Sequence, residues 1–442
     1  SHIHFLGLAA NLQGNKLALS DNAGLPEFIT QLKEISKLDT QSHWLRIYDL
    51  DPFHPILENF ISKDIVDSCI SNRPVIIRFS SGHGVLLNSV AMKQLGITES
   101  TDETKGSTFV RSIETGKLTG VFYEIETLLN DSVPLISNEI IIKGVKDAND
   151  LLLSRGFTSI MDATAENDLS RLIFLADLYD KGIITLDVSF MLGYEYLEDF
   201  IKSGITYGSN FRGIHIGPVK LMTSLSSGNL YPNKKILSDK IKHCHSLGFP
   251  VAIHIVEKEM ASLAADILSE YYMKGDRLEH LTELDDKILN NLSHNNVFIS
   301  VNPSFIYEYG DRYVRKMKST ELKNIYRFKS MLENNLVLGF GSDAPVTIPS
   351  GLRFIDSVTK RLTKNSIALS ISEKLTITQA INIATSDTSL LPSISNALGK
   401  INIGNIANMA VINSKYLLGN TNYSEDNVAL TMHKGEIVYS NL

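Results

Sequence analysis

The stretch PVAIHIV, residues 250–256, is a short and almost continuous apolar run that contains one histidine. Runs of this kind are typical of strands buried on both faces in a parallel sheet. Similar stretches recur between residues 157 and 343, and each is followed by a polar or amphipathic segment of helical length. They are FTSIMDA (157–163), ITLDVSFML (184–192), GPVKLMT (217–223), DRLEHL (276–281), VFISVNP (297–303) and LVLGFGSD (336–343). This alternation predicts βα units around a parallel sheet.

SHIHF, residues 1–5, reads as one more strand and brings the number to eight, which is the count of a (β/α)8 barrel. The fold class we predict is α/β, a (β/α)8 TIM barrel made of residues 1–5 and 151–395. Residues 6–150 are far too long for a βα connection, so they predict a large inserted subdomain after strand 1. Residues 396–442 alternate and turn at Gly404 and at Lys434-Gly435, which predicts a small C-terminal β-sandwich portion.

Composition narrows the class of protein. The chain has 442 residues, of which 43% are apolar and 21% charged, as in folded soluble proteins. A formal net charge of −7 without a Lys/Arg-rich run argues against nucleic acid as a partner. Two distant cysteines argue against a disulfide framework, and the sequence shows neither a membrane-length apolar run nor a secretory leader. We therefore predict a cytoplasmic protein of enzyme size with a small-molecule substrate and no membrane partner, and with a monomer or a homo-oligomer as the alternatives for its assembly.

Ligand-capable side chains cluster at the ends of the predicted strands. His2 and His4 are two residues apart, so in a strand they project to the same side, about 6–7 Å apart at Cα. The others lie in or end later strands: Lys220, His254, His280 and Asp343. The carboxyl ends of barrel strands form the rim on which active sites are built. The pattern predicts a metal centre there, since histidine and carboxylate side chains bind transition metals.

Other histidines lack this placement. KHCHS carries His243 and His245, but the surrounding DKIKHCHSLGF predicts a helix ended by Gly248, on which residues two apart point about 200° apart. We predict that this pair is solvated surface and binds no metal.

Together SHIHF, GPVKL, VAIHI, RLEHL, GSDAPV and the tail LGKINIGNIANMAVI resemble the amidohydrolase superfamily. More narrowly they resemble amidohydrolase family 3, the branch that includes N-substituted formamide deformylases. The resemblance implies that His2 and His4 bind a more buried metal, and that His254 and His280 bind a more exposed one. It also implies that Lys220 carries a carbamate that bridges two ions, zinc or other divalent metals. Asp343 would ligate metal and handle the proton of the attacking water.

The resemblance extends into residues 6–150 through RPVIIRFSSGHGVLLNSVAMKQLGI and GVFYE, and it implies that this insertion folds over the barrel mouth. His83, Asn88 and Glu124 are therefore substrate-binding candidates. The family usually carries an acid where this chain has Ser81, which leaves the substrate open. The family also begins earlier, with strands that pair with the C-terminal β portion, and those partner strands are absent from this sequence.

The function implied is hydrolysis of an amide-type C–N bond by a metal-activated hydroxide, in an N-acyl amine, an N-formyl amine or a cyclic amide. One alternative is a mononuclear deaminase of an aminated heterocycle, against which Lys220 counts. A second is a regulatory protein on an inactive barrel scaffold, against which the complete ligand set counts.

Overall fold

The computed structural model describes residues 1–20, 23–39, 43–59, 62–104, 106–225, 228, 230–294, 297–387, 398–413, 424 and 427–442. The chain divides into two compact units. The first contains Ser1–Leu6, Val145–Thr223 and Pro232–Leu442, and the second contains Gly7–Gly144 and Ser224–Tyr231. The predicted boundary between residues 395 and 396 lies outside the described residues.

The first unit is built on a curled parallel sheet in which spatial order follows chain order. Its strands are, from one end to the other, Ser159–Asp162, Asp187–Gly193, Ile214–Leu221, Val251–Ile255, Arg277–His280, Phe298–Val301 and Val337–Phe340. A short strand, Asn210–Phe211, pairs antiparallel with the third. Each strand lies within one of the predicted stretches or overlaps most of it. The fold is thus mixed α/β, and its curled sheet is consistent with the predicted TIM barrel.

Residues 1–4 hydrogen-bond to both end strands of this sheet. On one side the Ile3 amide donates to the Met161 carbonyl at 3.0 Å. On the other side the amino group of Ser1 donates to the Phe340 carbonyl at 2.8 Å, and the amide of Asp343, just past that strand, donates to the His2 carbonyl at 3.0 Å. The expectation of a five-residue strand is nevertheless wrong in detail, because only Ile3 makes a β-bridge and a helix, Phe5–Gln13, begins directly after His4.

Helices follow the strands of the first unit, and side-chain caps start several of them. Asp168, Asn233, Asp285 and Ser350 each accept a hydrogen bond from the amide three residues later. Such a cap stabilises a helix by about 1 kcal/mol. The longer helices are Asn138–Ser154, Leu169–Asp180, Lys234–Ser246, Lys258–Tyr271, Asp286–Ser293, Ser304–Lys316 and Gly351–Lys360. Shorter ones are Leu197–Lys202, Ser319–Leu322, Phe328–Glu333 and Ile377–Asn382. Among the described residues, no helix has both the length and the apolar character needed to cross a bilayer.

The second unit carries a six-stranded mixed sheet. Its strand order is Asn15–Lys16, Leu45–Leu50, Val75–Phe79, Gly84–Leu87, Leu118–Tyr123 and Thr108–Arg111, with the first three parallel and the rest antiparallel. Helices Leu25–Leu38, Pro55–Asn59, Lys63–Cys69, Ser89–Gln94 and Glu126–Ser132 complete it. Trp44, the single tryptophan, is buried in one of its two cores.

The described part of residues 396–442 forms one three-stranded antiparallel sheet of Met409–Ile412, Val428–His433 and Glu436–Ser440. The predicted turn at Lys434-Gly435 is confirmed, since both residues have positive φ (51° and 87°), as a two-residue hairpin requires. Within the first unit, this hairpin contacts the parallel sheet through Asp187, whose carboxylate accepts from Lys434 at 2.7 Å and lies 3.1 Å from His433 Nε2.

Candidate metal centre

The structure brings the strand-end candidates to one edge of the curled sheet. His280 is the last residue of its strand, His254 and Lys220 are each next to last in theirs, and Asp343 follows the end of the strand Val337–Phe340. Because these strands are parallel, their carboxyl ends share one edge. His2 and His4 reach the same edge from the segment that closes the sheet.

Three imidazole rings lie in contact at this edge. The ring centroids of His2 and His280 are 4.7 Å apart, and those of His254 and His280 are 4.6 Å apart. The His4 ring lies 5.4 Å from that of His2. Asp343 completes the cluster, with Oδ1 at 3.0 Å from His4 Nε2 and 3.2 Å from His2 Nε2. Ligand atoms of His2, His280 and Asp343 all lie within 4.8 Å of one another.

Two buried atoms in this cluster lack a hydrogen-bond partner and suit a metal ion. His2 Nε2 and Asp343 Oδ1 are both buried, and neither makes a hydrogen bond of acceptable geometry, although they face each other. Ligands about 2.1 Å from one tetrahedral zinc ion lie about 3.4 Å apart, close to the separation of this pair. The donor set of imidazole nitrogen and carboxylate oxygen therefore fits a divalent transition metal.

Neighbouring side chains fix how two of the rings face the cluster. Asn302 donates its amide hydrogen to the Gly341 carbonyl at 3.2 Å, so its Oδ1 faces His280 Nδ1 at 2.7 Å. His280 Nδ1 is thus the donor, and its Nε2 keeps a lone pair for a ligand. His4 Nδ1 lies 3.0 Å from the Thr164 hydroxyl, which leaves its Nε2 toward Asp343.

The backbone is strained at two of the candidate ligands. His280 has φ of 70° and Asp343 has φ of 58°, in the left-handed region that β-carbons disfavour. Non-glycine residues there cost of order 1 kcal/mol or more and concentrate at functional sites.

Burial and charge act together on the groups of this edge. Burial lowers the pKa of His280 to about 3, so the ring is neutral and able to bind a cation. Burial favours the protonated carboxyl of Asp343, yet the neighbouring imidazoles, that of His280 foremost, hold its pKa well below the usual range. Lys220 is 2% exposed, and burial lowers its pKa although Glu279 and Asp343 oppose the shift. The surroundings thus favour the uncharged amine.

The three substrate-binding candidates lie in the second unit. His83 Nδ1 is 3.0 Å from a carboxylate oxygen of Glu124, and both side chains are partly exposed. Glu124 has φ of 55°, a strained conformation for a glutamate. Asn88 is fully buried: its oxygen accepts from the Val75 and Ala91 amides, and its nitrogen donates to two further carbonyls. We therefore keep only His83 and Glu124 as candidates, and their contact with a substrate stays a prediction.

The second His-x-His pair behaves differently from His2 and His4. The predicted helix is confirmed as Lys234–Ser246. His243 lies at its surface, 3.2 Å from Glu198. The expectation that His245 is solvated is wrong, because its side chain is 15% exposed and Nε2 lies 2.9 Å from the buried carboxylate of Asp276. That neither histidine binds metal stays a prediction.

Sequence reasoning missed several polar residues that hold the cluster. Asp162 ends the strand Ser159–Asp162 and accepts from the amides of Phe5 and Thr164. Asn302 directly follows the strand Phe298–Val301. The strand-end rule that selected Asp343 could have found both. Glu279 is fully buried and lies 2.5 Å from His2 Nδ1; its signal was an acidic residue inside a strand with no solvated face.

Known proteins are similar to this chain over most of its length. Protein LONG AFTER FAR-RED 3 of Arabidopsis thaliana is 24% identical over 94% of this chain and 76% of its own. The putative amidohydrolase YtcJ of Bacillus subtilis (strain 168) is 20% identical over 99% of this chain and 87% of its own.

The fold also has a match among solved structures. The crystal structure of an uncharacterized metal-dependent hydrolase from Pyrococcus horikoshii OT3 superposes with a TM-score of 0.69. It covers 91% of this chain and 82% of its own at 21% identity, a level that supports a common fold. A model of the amidohydrolase family matches residues 1–439, and the chain therefore belongs to the amidohydrolase family.

Proposed function

We propose that this chain is a metal-dependent hydrolase of an amide-type C–N bond, in an N-acyl amine, an N-formyl amine or a cyclic amide. Family membership supports the hydrolase class. The observation that best supports a metal ion is a pair of buried atoms without hydrogen-bond partners, His2 Nε2 and Asp343 Oδ1. They face each other among imidazole rings at the carboxyl edge of the sheet.

The residues that would hold metal are those gathered at this edge. His2 and His4 would bind one ion, and His254 and His280 a second. Asp343 and a carbamate on Lys220 would supply oxygen ligands. Zinc suits such nitrogen and oxygen donors. When bound, a divalent ion lowers the pKa of coordinated water and polarises a carbonyl group.

Asp343 would move the proton in this reaction. Its side chain is 10% exposed and that of His4 is 30% exposed, so solvent reaches the cluster at this point. As a carboxylate, Asp343 would take a proton from the attacking water and deliver it to the leaving nitrogen. General acid–base transfer of this kind contributes about 10²–10⁴-fold to a rate.

The presence of Lys220 at this edge favours a centre with two metal ions over a centre with one. An ammonium group at this edge would repel the cations that the neighbouring side chains collect. Burial favours the neutral amine, which is the form that reacts with CO2. Addition of the amine nitrogen to CO2 forms one N–C bond and releases one proton, and the resulting carbamate would be an anion with two oxygens able to bind metal.

The function is tested by assaying the metal-free and zinc-reconstituted protein on a panel of N-acyl amines, N-formyl amines, cyclic amides and aminated heterocycles. We expect metal-dependent release of amine, or ring opening, for at least one amide class. Asp343→Asn should lower that rate by about 10²-fold or more. Release of ammonia from a heterocycle alone would favour the deaminase instead. Inactivity of the zinc-loaded protein on every class would refute the proposal.

A further inference from the structure

We propose that Glu279 and Arg277 are positioning residues that hold His2 with its proton on Nδ1, so that Nε2 is presented to the metal. This inference rests on the proposed function, because it concerns how one ligand of that centre is prepared. It assigns a role to two buried residues that contribute no ligand atom of their own.

The three residues form a continuous buried chain of contacts. Glu279 Oε2 lies 2.5 Å from His2 Nδ1 and accepts from Arg277 Nη2 at 3.1 Å. Its other oxygen accepts from Arg277 Nε. Glu279 and Arg277 are 0% and 1% exposed, and the His2 side chain is also 1% exposed. Water does not compete for these bonds.

Hydrogen-bond valence decides the tautomer of His2. The guanidinium of Arg277 has donors only, and it donates to both oxygens of Glu279, so the carboxylate acts as an acceptor. His2 Nδ1 must then be the donor. A neutral imidazole carries one N–H, and Nε2 is left with a lone pair. That atom is the buried one without a partner, facing Asp343.

Arg277 also binds the segment that contains His2, and it holds the Glu279 carboxylate toward His2 Nδ1. Its Nη2 donates to the Ser1 carbonyl at 2.9 Å, and its guanidinium lies over the Phe298 ring at 5.0 Å. Both Glu279 oxygens are occupied by Arg277 and His2. The carboxylate is therefore directed at the outer nitrogen of the ligand rather than at the metal.

The partner of the outer nitrogen of His2 differs in charge from the partners of His4 and His280. His4 meets a hydroxyl, that of Thr164, and His280 meets an amide, that of Asn302. Of these three partners, the carboxylate behind His2 is the charged one. Outer partners of this kind change metal affinity by about 10–100-fold when they are altered.

Glu279→Gln separates this role from simple packing, because glutamine has nearly the same shape. Its side chain has one acceptor oxygen, which the donors of Arg277 attract, and an NH2 group that then faces His2 Nδ1. That arrangement favours the opposite tautomer, with a hydrogen on Nε2 where the metal should bind. We expect zinc and cobalt to bind about 10–100-fold more weakly.

Asp276→Asn is the matched control. Asp276 lies next to the same strand, is fully buried and also pairs with a histidine, His245, which is not a proposed ligand. Metal is titrated into the metal-free wild-type and variant chains, with the cobalt absorption spectrum and thermal unfolding recorded on each. Asp276→Asn should lower stability and leave metal affinity unchanged, whereas Glu279→Gln should weaken metal binding and change the cobalt spectrum.

The outcomes distinguish this inference from the proposed function. A wild-type chain that binds no divalent metal overturns both. Metal binding by the wild type with unchanged affinity in Glu279→Gln overturns the positioning role alone, as does an equal loss of affinity in the control. If Glu279→Gln does not fold, the nitrogen NMR shifts of His2 in the metal-free wild type decide: hydrogen on Nδ1 supports the inference, and hydrogen on Nε2 overturns it.

Discussion

Gly341→Ala offers a steric test of the centre in which none of the proposed ligands is substituted. Gly341 follows the strand Val337–Phe340, and its amide donates to the Val301 carbonyl at 2.8 Å. A β-carbon at this position would lie 2.6 Å from His2 Cβ, which is 0.8 Å inside the 3.4 Å at which ordinary contact begins. It would also lie 3.1 Å from the His2 nitrogen and 3.2 Å from its carbonyl oxygen.

The displacement follows from these distances. The contacted atoms belong to the His2 backbone and its first side-chain carbon, so rotation of the side chain does not relieve them. His2 would have to move by several tenths of an ångström or more, whereas metal–ligand distances tolerate about 0.2 Å. We expect metal affinity to fall by about tenfold or more. The unfolding free energy of the metal-free protein should fall by about 1–3 kcal/mol, as for overpacked sites.

The assay is a zinc titration together with urea unfolding in the presence and absence of metal. Gly351→Ala, at the start of the helix Gly351–Lys360, is the control, because among the described residues its β-carbon would have only Phe157 nearby, at 4.0 Å. It should bind zinc like the wild type without loss of stability. Wild-type zinc affinity and stability in Gly341→Ala would show that His2 is not packed as described and would refute the reasoning.

Two further predictions concern a proposed ligand and a distant ion pair. Lys220→Ala should lose at least one metal ion and most activity, and adding a small carboxylate should partly restore both. Lys220→Arg should be no better than the alanine variant, because a guanidinium group cannot form the carbamate. Metal analysis and activity assays check this prediction, and full activity of the alanine variant would contradict it. Asp187→Asn should lower the unfolding free energy by roughly 1–2 kcal/mol at pH 7, because Asp187 accepts hydrogen bonds from the C-terminal sheet. Burial opposes ionisation of Asp187, but His433 and Lys434 lower its pKa. Its contribution is therefore present above the unfolded value of about 3.9 and lost as the pH falls through the folded pKa. Urea unfolding should show the variant and the wild type converging below about pH 4, and an undiminished difference at pH 3 would count against it.

Strand positions were predictable because buried parallel strands leave a strong local signal. Val251–Ile255 lies wholly within the apolar run PVAIHIV, and its histidine was recognisable as an exception in that run. The same holds for His280 at the end of DRLEH. A polar residue at the end of an apolar strand is visible in sequence because both features are local.

The partners of these residues were not predictable in the same way. That Asn302 orients His280, or that Glu279 supports His2, depends on which strands become neighbours and on side-chain rotamers. The end of the first strand was misplaced for a similar reason. The Phe5 amide donates to the carboxylate of Asp162, and this tertiary contact lies at the start of the helix Phe5–Gln13. The local sequence SHIHF by itself favours a strand at the same position.

The position of residues 1–4 between the two ends of the curled sheet has a consequence for the order in which the protein folds. His2 and Glu279 are 277 positions apart in the chain, and the His2 carbonyl accepts a hydrogen bond from the amide of Asp343, which lies further still. Contacts of such separation form late, because loop closure over the intervening chain must come first. The proposed ligands are therefore scattered in the unfolded chain and come together only when residues 1–4 have paired with the curled sheet. Metal at the proposed centre would then bind a sheet that is already complete rather than nucleate it. The proposed function therefore predicts that a cell short of metal accumulates folded, inactive protein rather than misfolded chains.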